Sequence, residues 1–196
     1  MKPRDLALIP AFTALIVVCA LLPAIHVAGM SVPITLQTFA VMLAGAVLGA
    51  KRGFLAALLY LALGFAGLPV FADGASGLAV LAGPSVGYLV AFPLAAGLCG
   101  LLVERLPRRG LPQPVLIFLA GLIASAVFTH TLGILGMMWR LDIPFGAAFK
   151  LDIVFWPGDV LKNVLMAVVA TAVHRAFPDL LGRRRSAPSS AEPAAA

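Results

Sequence analysis

The stretch that decides the fold is residues 6–50, LALIPAFTALIVVCALLPAIHVAGMSVPITLQTFAVMLAGAVLGA. Its 45 residues contain no Asp, Glu, Lys or Arg. An α-helix rises ~1.5 Å per residue, so one helix of this length would be more than twice as long as the ~30 Å hydrocarbon core of a bilayer. The stretch therefore predicts two membrane-crossing helices, about residues 6–25 and 36–50, joined by a turn around residues 26–33.

The composition of the whole chain agrees with a membrane protein. Of its 196 residues, 62% are hydrophobic and only 11% are charged, and the mean hydropathy is +1.06. A soluble domain is typically ~45–50% apolar and ~25% charged. We therefore predict an all-α integral membrane protein with the bilayer as its main solvent.

The rest of the chain divides in the same way, because short charged clusters separate further apolar runs. Four more membrane helices are predicted, which makes six in a membrane domain of residues 1–178; the additional spans are about 53–67, 84–103, 112–138 and 157–176. The segment 140–152 is predicted to form a short amphipathic connector. Residues 179–196, rich in Arg, Ser, Pro and Ala, are expected to form a disordered cytoplasmic tail.

The basic residues predict the orientation in the membrane. One set of loops holds eleven of them and the opposite set holds only Arg140 and Lys150; the eleven are Lys2, Arg4, Lys51, Arg52, Arg105, Arg108, Arg109, Arg175, Arg183, Arg184 and Arg185. Cytoplasmic loops carry the excess of Lys and Arg. Both termini are therefore expected in the cytoplasm of a bacterial-type cytoplasmic (inner) membrane, with the loops 26–35, 68–83 and 139–156 on the outer face. The net charge of +6 is explained by this pattern, and no nucleic-acid partner is predicted.

The main anomaly lies in the last predicted helix, which opens with WPGDVLKN at residues 156–163. Asp159 and Lys162 are three residues apart and share one face of the helix. Ionisable residues inside a membrane span are rare and mark a functional site by default. The alternative is a structural ion pair, with the lysine reaching toward the interface.

Two other segments place polar or flexible groups at the outer mouth. The loop 68–83 is rich in glycine, including Gly74 and Gly77 around Ser76, and glycine lets a backbone approach a ligand closely. Thr35, Gln37 and Thr38 bring hydrogen-bonding side chains to the start of the second helix. An ordinary extracellular turn, and a helix cap at Thr35, are the alternatives.

Several chemistries lack their motifs. The sequence has no G-x-x-x-x-G-K-[ST], H-E-x-x-H or G-x-S-x-G, so an ATPase, a zinc peptidase and a serine hydrolase are not indicated. The three histidines are scattered, and Cys19 and Cys99 lie in apolar runs without metal-ligand spacing. No metal and no cofactor are predicted.

Five motifs in order make the chain resemble the BioY family, the biotin-binding S-components of energy-coupling factor (ECF) transporters. They are VPITLQT at 32–38, LAG to RG across 43–53, LPVFA at 68–72, GPSVGY at 83–88 and WPGDVLK at 156–162.

The resemblance implies a compact six-helix S-component bundle with an outward-facing pocket closed by loops. It implies a substrate-binding subunit for biotin uptake rather than an enzyme. Its partners would be a transmembrane T-component and ABC-type ATPases, although some members are reported to act without that module, so a solitary or oligomeric protein stays open. In the family the Asp and Lys of the last motif contact biotin, and they correspond to Asp159 and Lys162.

The resemblance extends to further residues. It assigns ligand contacts to the loop around Gly74, Ser76 and Gly77 and to Tyr88, and it gives Ala7 and Ala11 on the first helix a contact with the T-component. Biotin carries a ureido ring, a thioether ring and a valerate carboxylate. Pockets for such ligands are mainly apolar with a few placed polar groups. Phe71, Trp156 and Tyr88 are expected to supply walls, with Thr35 and Gln37 as polar groups at the mouth.

Three other interpretations of these residues remain open when only the sequence is considered. One is an intramembrane enzyme in which Asp159 acts as general base and Lys162 as its partner. The second is an S-component for another vitamin, and the third is a scaffold with no ligand.

Overall fold

The computed structural model describes residues 3–29, 31–105 and 112–181, with side chains from residue 6 onward. These residues form helices joined by short loops, and one antiparallel bridge between Ile25 and Ile34 is the only β pairing among them. The predicted all-α fold class is confirmed. The elements are α1 (Pro3–Leu21), α2 (Gln37–Leu48), α3 (Ala50–Phe65), α4 (Val86–Arg105), α5 (Gln113–Ala124), a π-helical segment (Ser125–His130), α6 (Thr131–Leu141), α7 (Phe145–Asp152) and α8 (Trp156–Ala176).

Helix α4 lies at the centre of the bundle. It packs against α2, α3, α5 and α6, while α8 packs against α2 and α5, and α1 covers α2 and α3. Small residues allow the closest of these contacts: a Cβ on Gly45 of α2 would overlap the carbonyl oxygen of Ala96 in α4. Glycine at such a crossing lets membrane helices approach until their backbones touch.

The outward faces of the helices are apolar. Leu58, Val90, Ile123 and Val168 are each more than two-fifths exposed, and in a bilayer such side chains face lipid. Within the described residues, α4 and the continuous helix Gln113–Leu141 are each long and apolar enough to cross a membrane, and the bent pair of α7 and α8 forms a third candidate. Leu6–Leu21 and α2 are apolar but shorter.

Two helix boundaries differ from the sequence prediction for identifiable reasons. The first helix, expected to reach residue 25, ends at Leu21, because Ile25 exchanges two backbone hydrogen bonds with Ile34 instead. Lys51, expected in a loop, lies in the first turn of α3. Gly49, with φ of +86°, ends α2 just before it, and the Glu104 carboxylate accepts the Ala50 N–H.

One end of the bundle carries the ordered loops. The α3–α4 loop is anchored by Phe71, which is buried and packs edge-on against Tyr60 and Phe65. The Tyr60 hydroxyl also donates to the Val70 carbonyl. Two 3-10 turns, Ala72–Gly74 and Leu78–Ala82, follow this anchor. The loop therefore has a fixed path across the mouth of the bundle.

The predicted tail lies almost wholly outside the described residues, which end at Leu181. The basic loop at 106–111 also lies outside them. The predicted connector 140–152 contains the short helix α7.

Candidate ligand-binding site

A cavity of about 200 Å³ opens at the loop end of the bundle. Its walls come from the α1–α2 loop, the α3–α4 loop and the adjoining ends of α2, α4 and α8. The residues that line it are Val32, Pro33, Ile34, Thr35, Gln37, Thr38, Phe71, Ala72, Asp73, Ala75, Val80, Ser85, Tyr88, Leu89, Phe92, Phe155, Asp159 and Lys162. Most of these side chains are apolar, so the polar ones among them determine which ligand groups can be held.

An ion pair forms the charged part of the lining. Lys162 Nζ lies 2.9 Å from Asp159 Oδ1 and 3.2 Å from Thr38 Oγ1. Thr38 in turn donates to Asp159 Oδ1 at 2.9 Å. Asp159 is buried and Lys162 nearly so. A buried charge is tolerated only when it is paired and hydrogen-bonded, and here each charge has both kinds of partner.

The start of α8 explains this placement. Pro157 occupies the first helical turn, where its missing N–H has no cost. Asp159 follows in the same turn, where the helix dipole favours a negative charge. One turn further on, the Asn163 side chain donates to the Asp159 carbonyl, and Lys162 points back toward the helix start.

A second carboxylate lies behind the cavity wall. Asp152, at the end of α7, is fully buried. It accepts hydrogen bonds from the Tyr88 hydroxyl at 2.7 Å and the Trp156 indole N–H at 3.0 Å. His130 Nδ1 lies 3.0 Å from both of its oxygens. Four elements, α4, α6 with its π segment, α7 and α8, therefore meet at one carboxylate.

His130 connects this carboxylate to the cavity. Its ring stacks on Trp156 with centroids 4.5 Å apart. Its Nε2 faces Asp159 Oδ2 at 3.6 Å, an ion-pair distance beyond hydrogen-bond range. The π-helical segment ends at His130, and such one-turn widenings of a helix are frequent at functional sites.

The opposite wall is held by a shorter chain of hydrogen bonds. Gln37 Nε2 donates to the Tyr60 hydroxyl at 2.7 Å. Both side chains are buried, so the face of Gln37 toward the cavity is held in one orientation. At the mouth, the exposed pair His26 and Asp73 joins the two loops at 3.1 Å.

The structure brings together six of the ten residues predicted to bind the ligand. Asp159, Lys162, Tyr88, Phe71, Gln37 and Thr35 all line the cavity.

The other four do not line it. Gly74, Ser76 and Gly77 belong to the predicted loop, but that loop contributes Asp73 and Ala75 instead, because the 3-10 turn at 72–74 and the extended backbone of Ala75 turn those two inward. Trp156, predicted as a wall, stacks behind the cavity on His130.

Two members of the site, His130 and Asp152, were not among the residues predicted to bind the ligand. Asp152 was part of the connector, and His130 was one of three scattered histidines. A signal was present, because both are polar groups in apolar surroundings. Nothing in the sequence, however, shows that residues 22 positions apart meet. In the described parts of the chain, no three His, Cys, Asp or Glu side chains are arranged so that they could hold a metal ion.

The model of the BioY family matches residues 1–179. The chain belongs to the BioY family. This confirms the resemblance drawn from the five sequence motifs, and together with the apolar helices it establishes a membrane protein.

Relatives within the BioY family are similar over nearly their whole length. The biotin transporter BioY of Rhizobium etli is 42% identical over 186 residues, which cover 93% of this chain and 100% of that protein. The biotin transporter BioY of Rhodobacter capsulatus is 41% identical, with 91% and 97% covered. A crystal structure of the S-component for biotin from an ECF-type ABC transporter superposes with a TM-score of 0.83 at 29% identity, covering 89% of this chain and 95% of that one.

Proposed function

We propose that this BioY-family protein is the substrate-binding membrane subunit for biotin uptake, and that it binds biotin in the cavity at the loop end of the bundle. The observation that carries the proposal is the Asp159–Lys162 pair, placed in a mainly apolar cavity of a chain whose relatives are named biotin transporters.

The chemistry of the cavity suits this ligand. The ureido ring of biotin offers two N–H donors and one carbonyl acceptor. Carboxylate oxygens of Asp159 can accept the N–H groups, and an N–H of Lys162 can donate to the carbonyl. Phe71, Phe92 and Phe155 supply apolar surface for the thioether ring and the chain. Tyr88, Gln37 and Thr35 are further proposed contacts.

The energising partners are part of the same proposal. A T-component and ABC-type ATPases would drive release of biotin to the cytoplasm, as the S-component role implies. Ala7 and Ala11 lie exposed on α1, and small exposed residues at this spacing permit close contact with another membrane helix. A solitary or oligomeric transporter is the alternative arrangement.

The proposed location is the bacterial cytoplasmic membrane, with both termini in the cytoplasm and the cavity open to the outer face. Its support is the excess of basic residues at the end of the bundle opposite the cavity. Lys51 and Arg52 at the start of α3 and Arg105 at the end of α4 belong to that opposite end.

The direct test is the ligand that the protein carries. Protein purified in detergent from cells grown with biotin should release biotin, identified by mass spectrometry. A panel of other vitamins at equal concentration should not displace it. Release of a different vitamin would identify that vitamin, instead of biotin, as the substrate. Chemical conversion of a bound ligand would indicate that the protein is an enzyme instead.

A further inference from the structure

We propose that His130 is a positioning residue: a doubly protonated imidazolium that bridges the buried Asp152 and the cavity-lining Asp159, and thereby fixes which hydrogen-bond donors and acceptors the cavity presents to a cyclic urea. The inference rests on the proposed function for the identity of the ligand. It assigns a role to a buried pair, His130 and Asp152, that does not line the cavity.

Asp152 and Asp159 are both assigned as ionised, because hydrogen-bond donors surround a carboxylate oxygen of each. Asp152 takes an N–H from Trp156 on Oδ2 and an O–H from Tyr88 on Oδ1, and an indole can only donate. Asp159 Oδ1 takes donors from Lys162 and Thr38. Asp152 Oδ2 and Asp159 Oδ1 are thus surrounded by donors, which is the arrangement that an ionised carboxylate needs.

Each nitrogen of the His130 imidazole faces a carboxylate. Its Nδ1 faces Asp152 at 3.0 Å and its Nε2 faces Asp159 at 3.6 Å. A neutral ring has one protonated nitrogen and one lone pair, so either tautomer would direct a lone pair at a carboxylate. Only the imidazolium places an N–H toward each carboxylate.

The charges of the cluster support this assignment. The titratable groups that face His130 or its partners are Asp152 from α7, Asp159 and Lys162 from α8, and Tyr88 from α4. With a cationic His130, two negative and two positive charges cancel. Between two ionised aspartates, a neutral His130 would leave a net negative charge in a buried site, which a low-dielectric environment strongly disfavours.

The hydrogen bonds within this cluster determine which of its polar groups remain free to bind a ligand. The Tyr88 proton is committed to Asp152, so its oxygen can only accept from a ligand. Asp159 Oδ2 accepts no hydrogen bond within the described parts of the chain and is oriented by His130. Lys162 uses two of its three N–H groups on Asp159 and Thr38. On Tyr88, Asp159 and Lys162, two acceptors and one donor therefore remain, which complement the two N–H groups and one carbonyl of a urea.

The protonation state can be measured in the wild-type protein without any ligand. Imidazole-labelled ¹⁵N-histidine NMR in detergent at neutral pH distinguishes a ring with two N–H nitrogens from either neutral tautomer. His26→Gln and His174→Gln identify the other two histidines, so the His130 signals are assigned without altering His130 or either of its two aspartates. We expect two protonated nitrogens at His130.

Binding measurements then test the role in recognition. His130→Gln keeps a donor for Asp152 and removes the positive charge, so it should weaken biotin binding by roughly ten- to a hundredfold. It should weaken binding of 2-iminobiotin less, because the guanidinium of that analogue replaces the missing charge. A merely structural role would weaken both ligands equally. His174→Gln, in the last turn of α8 and away from the cavity, should leave the ratio of the two affinities unchanged.

A singly protonated His130 in a protein that binds biotin would overturn this inference alone, as would an unchanged affinity ratio in His130→Gln. A wild-type protein that binds no biotin would overturn the proposed function and with it the urea assignment.

Discussion

At the scale of single residues, the Lys162 side chain is held by contacts with two helices. Its ammonium is held by Asp159, one turn earlier in α8, and by Thr38 in α2. Fixing a long side chain at two points lowers the entropy that it loses when it donates to a ligand. Asp159 is held by Lys162 and by a separate hydrogen bond that Thr38 donates, so the pair acts as one preorganised unit.

Lys162→Met should weaken biotin binding by roughly ten- to a hundredfold, because a charge-assisted hydrogen bond contributes about 1.5–3 kcal/mol. The methionine keeps most of the stem and removes the donors. Lys150→Met is the matched control, since Lys150 is exposed on α7 away from the cavity lining. Equal affinities of the two variants, measured by equilibrium binding of labelled biotin, would show that the ion pair is only structural.

At the scale of elements, the crossing of α4 and α6 sets the position of Tyr88. A Cβ on Gly133 of α6 would overlap one edge of the Tyr88 ring, and a Cβ on Gly87 of α4 would overlap the Leu132 carbonyl oxygen. Glycine at these positions lets α6 approach closely enough for His130 and Tyr88 to reach the same Asp152 carboxylate.

Gly133→Ala should therefore move the Tyr88 ring away from Asp152. Overpacking of this kind destabilises a core by about 1–3 kcal/mol, and we expect a lower melting temperature in detergent together with weaker biotin binding. Gly146→Ala in α7 is the control, because nothing lies within 4 Å of its added Cβ, and it should match the wild-type protein in both measurements. A Gly133→Ala protein with wild-type stability and affinity would contradict this account of the crossing.

Helix positions could be predicted to within about two residues where charges interrupt apolar runs, as for α4, which was predicted over 84–103 and includes Glu104 and Arg105. The end of α1 could not, because the bridge between Ile25 and Ile34 is a tertiary contact. The Asp159–Lys162 pair could be found because its members lie three residues apart on one helix. His130 and Asp152 could not be joined to it, since only the packing of α6, α7 and α8 brings them together.

At the scale of the whole molecule, the cavity and the predicted basic loops lie at opposite ends of the bundle. Reporter fusions after position 110 and at the C-terminus should read cytoplasmic, and a fusion after position 74 should read external, because basic loops stay on the cytoplasmic side. The reverse pattern would place the cavity on the wrong side for uptake.

The exposed side of α1 is the proposed contact with a T-component. Replacing Ala7 and Ala11 together with Trp should abolish co-purification with that component while biotin binding stays intact, because close helix contact requires small side chains. Ala172→Trp on the exposed side of α8 controls for bulk added at the lipid face. Parallel loss of assembly and of biotin binding would indicate that the two alanines support the fold of the helical bundle itself.

The central claim is that biotin binds at Asp159 in the loop-end cavity, and calorimetric titration of biotin into purified protein tests it most directly. The wild-type protein and Asp142→Asn, an exposed site outside the cavity lining, should show the same saturable one-site binding. Asp159→Asn keeps the shape and removes the charge, so its affinity should fall by roughly ten- to a hundredfold while it still purifies as a single species. Wild-type affinity in Asp159→Asn, or no binding by the wild-type protein, would contradict the account.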